Sequence, residues 1–191
     1  MELLGDLLKM VLPAAFILYA VFLTVQSFLN KEFREKQLEL KREGAEQILT
    51  SRLQAYERMC LLLERSQLTS LIPRVNQGEM NKAQLQFLLI KEIRDELGHN
   101  LSQQLYISDK AWGMTVTALE SLVQLINEAA SKVEDEQPAL MLVQVLLAES
   151  LNKEGDTINT ALAFIKEEAR SLFIYQANEQ SLFEKKNQKK G

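Results

Sequence analysis

Few residues in this chain are of types and spacings that could do chemistry. Glu96-Leu97-Gly98-His99 places a carboxylate and an imidazole three residues apart, on one face of a helix. Di-iron carboxylate bundles use two such Glu-x-x-His copies together with two further glutamates. This chain holds one copy, and His99 is its only histidine. Neither that centre nor a histidine-rich zinc site can be assembled within one chain. Cys60 is the only cysteine, which excludes an intramolecular disulfide and leaves a Cys/His zinc site short of thiols. A Cys60–His99 nucleophile pair lacks a third group to orient it. The seven glycines are scattered, with no glycine-rich phosphate loop. The residues therefore predict no catalytic, metal or cofactor-binding residue and no cofactor. A metal-dependent helical-bundle enzyme using Glu96 and His99, assembled as a dimer, stands as an alternative.

Both of these motifs have polar company. Asn100, Gln103 and Gln104 follow His99, and Arg52, Glu57, Arg58, Glu64 and Arg65 flank an apolar line formed by Leu49, Leu53, Tyr56, Cys60 and Leu63. That line follows alternating steps of four and three, as one face of a helix does. Cys60 sits on it, which reads as a small core thiol. Arg52 and Tyr56 are one helical turn apart. Facing each other, Arg52, Tyr56, Glu57, Arg58, Glu64, Arg65, Glu96, His99, Asn100, Gln103 and Gln104 would form a buried polar network that fixes helix register. Facing outward, they would form a binding patch. The network is the favoured reading, because charged helix faces are usually solvated or paired locally.

The elements that must position these groups begin with an apolar run from Met10 to Leu29, which contains no ionisable group. Twenty residues at about 1.5 Å rise span about 30 Å, the thickness of a bilayer's hydrocarbon core. The sequence therefore predicts a transmembrane helix at 10–29. A cleaved signal is disfavoured, because Glu2 and Asp6 offset Lys9 and the run is long. Lys31, Arg34, Lys36, Lys41 and Arg42 outnumber the cations before the run, so the positive-inside rule puts the C-terminal bulk in the cytosol and the N-terminus outside. The expected location is the inner membrane, with one pass. A charged helical stalk at 30–46 follows, with Lys31–Glu35 and Glu32–Lys36 as neighbours four residues apart and Gly44 as a weak point.

Leu, Glu, Gln, Lys and Ala dominate the remainder, and glycine and proline are sparse. The pattern predicts an all-α fold: an antiparallel helical bundle over 47–176, behind a short outer N-terminus at 1–9 and ahead of a basic flexible tail at 177–191. Within the bundle, Leu68 to Gly78 reads as a loop around Pro73, Asn76 and Gly78. Asn81 and Gln84 read as a capping pair, opening a helix that carries Leu85, Leu89, Ile93, Leu97, Leu101 and Leu105. Ser108 or Asp109 caps the next, with Trp112, Val116, Leu119, Val123, Ile126 and Val133 inward. Pro138 opens a segment, Ala139 to Ala148, that is apolar nearly all round, as a central helix or a covered interface is. Ile158, Leu162, Ile165, Ala169 and Leu172 mark the last helix. Net charge is −4, so no basic field recommends nucleic acid.

Three stretches, Arg52-Leu53-Gln54-Ala55-Tyr56-Glu57-Arg58, Leu62-Leu63-Glu64-Arg65 and His99-Asn100-Leu101-Ser102-Gln103-Gln104, resemble a family of short bacterial membrane proteins of unknown function. The likeness runs to about Phe173. It implies an inner-membrane protein with a helical cytosolic domain, and it implies no activity. The expected function is thus a membrane-anchored interaction protein, an adaptor or accessory subunit without catalysis. Its partners would be the lipid bilayer through residues 10–29 and another membrane or cytosolic protein, or further copies of itself. An exposed apolar face between Pro138 and Leu151 would support that function. An anionic-lipid-binding module using the stalk cations and Lys185, Lys186, Lys189 and Lys190 is the other alternative.

Overall fold

A computed structural model describes residues 2–76, 78–152 and 156–188, with side chains described from residue 12 to 174 apart from 14, 77 and 152–155. The described residues form six α-helices: α1 (Glu2–Ser66), α2 (Leu68–Val75), α3 (Lys82–His99), α4 (Asp109–Ala130), α5 (Ala139–Asn152) and α6 (Thr157–Gln188), with a 3-10 turn at Leu101–Leu105. Among them there is no strand, only a single antiparallel bridge between Asn81 and Pro138. The fold is all-α, as the composition implies. The chain divides into two compact units, Met1–Ile48 and Leu49–Gly191. The lysines Lys185, Lys186, Lys189 and Lys190 have side chains outside the described residues.

In the first unit, α1 runs on without a break through Pro13 and Gly44. The expected single span does not stand: among the described residues no helix is long and apolar enough to cross a membrane. The inner-membrane location and the single-pass topology fall with it. In the charged stretch, Lys36 pairs with Glu39 at 2.7 Å.

The second unit is the bundle. α4 packs against α3, α5 and α6, and α3 also packs against α2 and α5. Its core takes Ala55, Tyr56, Met59, Leu62 and Leu63 from α1, Leu85, Leu89 and Ile93 from α3, Leu119 and Ile126 from α4, Leu142 and Leu146 from α5, and Ile165 from α6. The α1 seam keeps Tyr56 and Leu63 of the expected line, both buried, and departs from it elsewhere. Leu49, Leu53 and Cys60 are only half-buried, while Ala55, Met59, Leu62 and Ser66 are fully covered. Small and flexible side chains at those places let neighbouring helices approach, and spacing alone does not rank them against leucine.

Asn81 caps α3 reciprocally. Its side chain accepts from the Gln84 amide at 2.9 Å, and the Gln84 side chain accepts from the Asn81 amide at 3.1 Å. The helix ends at His99, before Leu101 and Leu105. The Asn100 side chain donates to the Glu96 carbonyl at 2.9 Å and so turns the chain; Leu101 and Leu105 are consequently exposed. The expected loop at Leu68–Gly78 is instead largely the short helix α2, with Leu71 and Ile72 buried. Pro73 is tolerated because the carbonyl it leaves without a donor belongs to Thr69, an exposed residue.

Candidate functional site

Alpha-helix α5 contains no ionisable group from Ala139 to Ala148, so its position depends on its ends and its apolar sides. Its entry is fixed by backbone bonds to α3: the Ala139 amide donates to the Met80 carbonyl at 3.0 Å, and the Lys82 amide to the Gln137 carbonyl at 2.7 Å. The Lys82 ammonium, largely buried, meets the exposed Asp135 carboxylate at 2.6 Å and ties the same loop down. Ala139, Leu142 and Leu146 then point into the core. Because the helix is apolar nearly all round, the same rotation leaves a second apolar face outward. Leu140 is 61% exposed, Met141 45%, Leu147 42% and Leu151 86%, with Gln144 and Ala148 between them. These places recur every three to four residues, one stripe along the helix. The Lys132–Glu149 pair, 2.6 Å apart, borders it.

Leu147 and Leu151 also form one wall of a cavity of about 520 Å³. Leu68, Leu122, Leu125 and Ile158 add apolar lining, and Gln67, Ser121, Gln124 and Asn159 add polar groups. Asp156 is the one ionisable residue among the described lining. Its carboxylate is already engaged, accepting from the Asn159 amide at 3.0 Å and from the Asn159 side chain.

The residues that the sequence groups into one polar network are distributed over three places. Arg65 donates to Glu96 at 2.6 Å, and Glu64 accepts from Lys166 at 3.2 Å. Arg52 donates from Nε to the Tyr106 carbonyl at 3.2 Å. Glu57, Arg58, His99 and Gln104 are exposed. Asn100 is buried as the α3 cap, and Gln103 donates to Ser102 at 3.2 Å. The Glu96 carboxylate beside His99 thus carries the Arg65 guanidinium, and among the described residues no three His, Cys, Asp or Glu side chains gather to hold a metal ion. Burial pushes the Cys60 thiol up, against a smaller downward pull from Lys166, which disfavours the nucleophilic thiolate.

The sequence offers Ser108 as a cap of α4, but spacing gives no sign of its second partner. Ser108 Oγ accepts from the Ala111 amide at 3.0 Å and so caps α4, and it donates to Glu168 Oε2 on α6 at 2.9 Å. Tyr56 lies beside it, buried, with its hydroxyl free of any hydrogen bond to the described residues. Burial pushes the phenol above its ordinary value, and the nearby Arg52 opposes this without cancelling it. Such a group stays neutral in the folded chain while the unfolded chain ionises at about pH 10, so its share of stability is whole below that pH and is lost as pH rises past it. Tyr56→Phe is therefore expected to leave urea stability at pH 7 unchanged or raise it by up to about 1 kcal/mol. It should also flatten the decline between about pH 9 and 11. A loss above about 1 kcal/mol at neutral pH, with the alkaline decline intact, would show that the hydroxyl is satisfied.

The fold defines the class: an all-α helical-bundle protein. The chain belongs to DUF7935, a family of unknown function whose model matches residues 2–172. No curated protein and no solved structure matches it.

Proposed function

We propose that the protein is a non-catalytic interaction protein, an adaptor or accessory subunit that docks an amphipathic helix of a partner protein on the outer face of α5. The observation that supports this is the exposed stripe of Leu140, Met141, Leu147 and Leu151 on a helix whose other side is core. A helix partner inserts anchors at i, i+3, i+4 and i+7, the spacing this stripe offers, and leucines 147 and 151 border a cavity that such an anchor fills. With no ionisable group between Ala139 and Ala148, docking costs no charge desolvation along the stripe. The Glu96–His99 metal reading has less support, because Arg65 already occupies Glu96.

The test is recovery of a stoichiometric companion from native extracts by the tagged full chain, compared with Leu140→Glu/Leu147→Glu. Both positions are exposed enough for the variant to fold, which circular dichroism checks. Loss of the companion by roughly tenfold or more is the expected result. Equal recovery by the two chains would remove α5 as the docking face.

A further inference from the structure

Charge is spread unevenly along the chain, and the imbalance centres on α5. From Ala111 to Ile165, eight acidic residues stand against two basic ones, a net of −6, while the rest of the chain holds 18 acidic and 20 basic residues. Lys132, the one of those two cations with a described side chain, is already held by Glu149 at 2.6 Å. Carboxylates stand at both ends of the apolar stripe. At its start, Glu134 and Glu136 are exposed in the loop that leads into α5, just ahead of Leu140 and Met141. At its end, Asp156 lines the cavity walled by Leu147 and Leu151. Gln124 lines the same cavity from α4, and its side-chain amide donates to Glu128 at 2.7 Å, which sets a further carboxylate behind the rim. Between these ends the stripe itself carries no charge from Ala139 to Ala148.

Resting on α5 as the docking face, we infer that the segment it takes is a basic amphipathic helix, with large apolar side chains on one face and lysine or arginine along the edges of that face. A helix that seats its anchors against Leu140, Met141, Leu147 and Leu151 carries its neighbouring residues over the carboxylates at the two ends of the stripe. Acidic flanks there set like charges together, which weakens the complex and slows encounter. Basic flanks meet the opposite sign and are steered onto the face. The anchor nearest Leu147 is apolar and large, because Leu68, Leu122, Leu125 and Ile158 line the cavity it enters. Nucleic acid and anionic lipid carry the same sign as this face, so neither suits it as an occupant.

The test is binding of the full chain to two synthetic helical peptides, read by fluorescence anisotropy. Both peptides carry leucine, with one tryptophan, at i, i+3, i+4 and i+7 spacing; one has lysine at the remaining positions and the other glutamate. The lysine peptide is expected to bind at least about tenfold more tightly, and to weaken as salt rises from about 0.1 to 0.5 M. Leu147→Gln/Leu151→Gln removes apolar surface without adding charge and should cost the lysine peptide about tenfold or more. Glu134→Lys/Glu136→Lys should narrow the preference between the peptides by at least about fivefold. Glu57→Lys/Glu167→Lys makes the same change of net charge at exposed places on α1 and α6, and should alter that preference less than about twofold. Circular dichroism checks that each variant is folded. Equal affinity for the two peptides, both lost in Leu147→Gln/Leu151→Gln, would overturn the basic partner and leave α5 as the docking face. Equal effects of the two glutamate-to-lysine pairs would also overturn it, since net charge alone would then explain the preference. Binding of neither peptide, or binding indifferent to the leucine changes, would overturn the basic partner and the docking face together.

Discussion

Leu146→Ala is expected to cost about 3 kcal/mol of folding stability, and Leu140→Ala, on the same helix, less than about 0.5. Both are leucines in α5, yet Leu146 is fully buried and Leu140 is mostly exposed. Removing three carbons at position 146 loses their transfer energy and leaves a cavity among packed neighbours, which relax only in part. At position 140 the same carbons are largely in water already. Urea titration of the two variants measures the contrast directly. For a unit of this size about 3 kcal/mol should appear as a fall in Tm of roughly 6–12 °C. Equal costs would mean that α5 is buried on both faces, and no free stripe would remain for a partner.

Ser108→Ala is the second large effect, expected at about 2–3 kcal/mol. One oxygen does two tasks: it caps the N-terminus of α4 through the Ala111 amide and it donates to the Glu168 carboxylate on α6. Loss of an N-cap typically costs about 1 kcal/mol, and a half-buried hydrogen bond to a charged group contributes about 1.5–3. A double-mutant cycle with Glu168→Gln separates the two parts. The coupling should be about 1 kcal/mol, while the capping part persists in the Glu168→Gln background. Additivity within about 0.3 kcal/mol would show that the α4–α6 tie contributes nothing beyond the cap.

Much of the fold was legible because the deciding signals are local. Asn81 and Gln84 satisfy each other's amides, so the start of α3 is written within four residues. The Leu85–Leu89–Ile93 line predicts a core face and is buried. Errors arose where a tertiary contact outranked a local one. Pro73, Asn76 and Gly78 read as a loop, but burying Leu71 and Ile72 outweighs them and makes α2. Leu101 and Leu105 continue the α3 spacing, yet the Asn100 side chain stops the helix at the Glu96 carbonyl. The apolar run at 10–29 reads as a span by its length, yet among the described residues no helix is long and apolar enough to cross a membrane. Polar pairing was the least legible. Arg65 finds Glu96, and Ser108 finds Glu168 from sixty residues away, because helix packing chooses those partners and spacing along the chain does not. The α5 stripe was half-legible: its all-round apolarity is plain in the sequence, but which leucines face outward is decided by how Ala139 is bonded to Met80.

The central claim is that a partner docks on the outer face of α5, and site-specific photo-cross-linking tests it most directly. A photoreactive residue placed at Leu147 or Leu151 should join the protein to one companion of defined mass. The same residue at Glu120, exposed on α4, should not. A companion captured equally from Glu120, or none captured from either α5 position while the chain remains folded, would contradict the account.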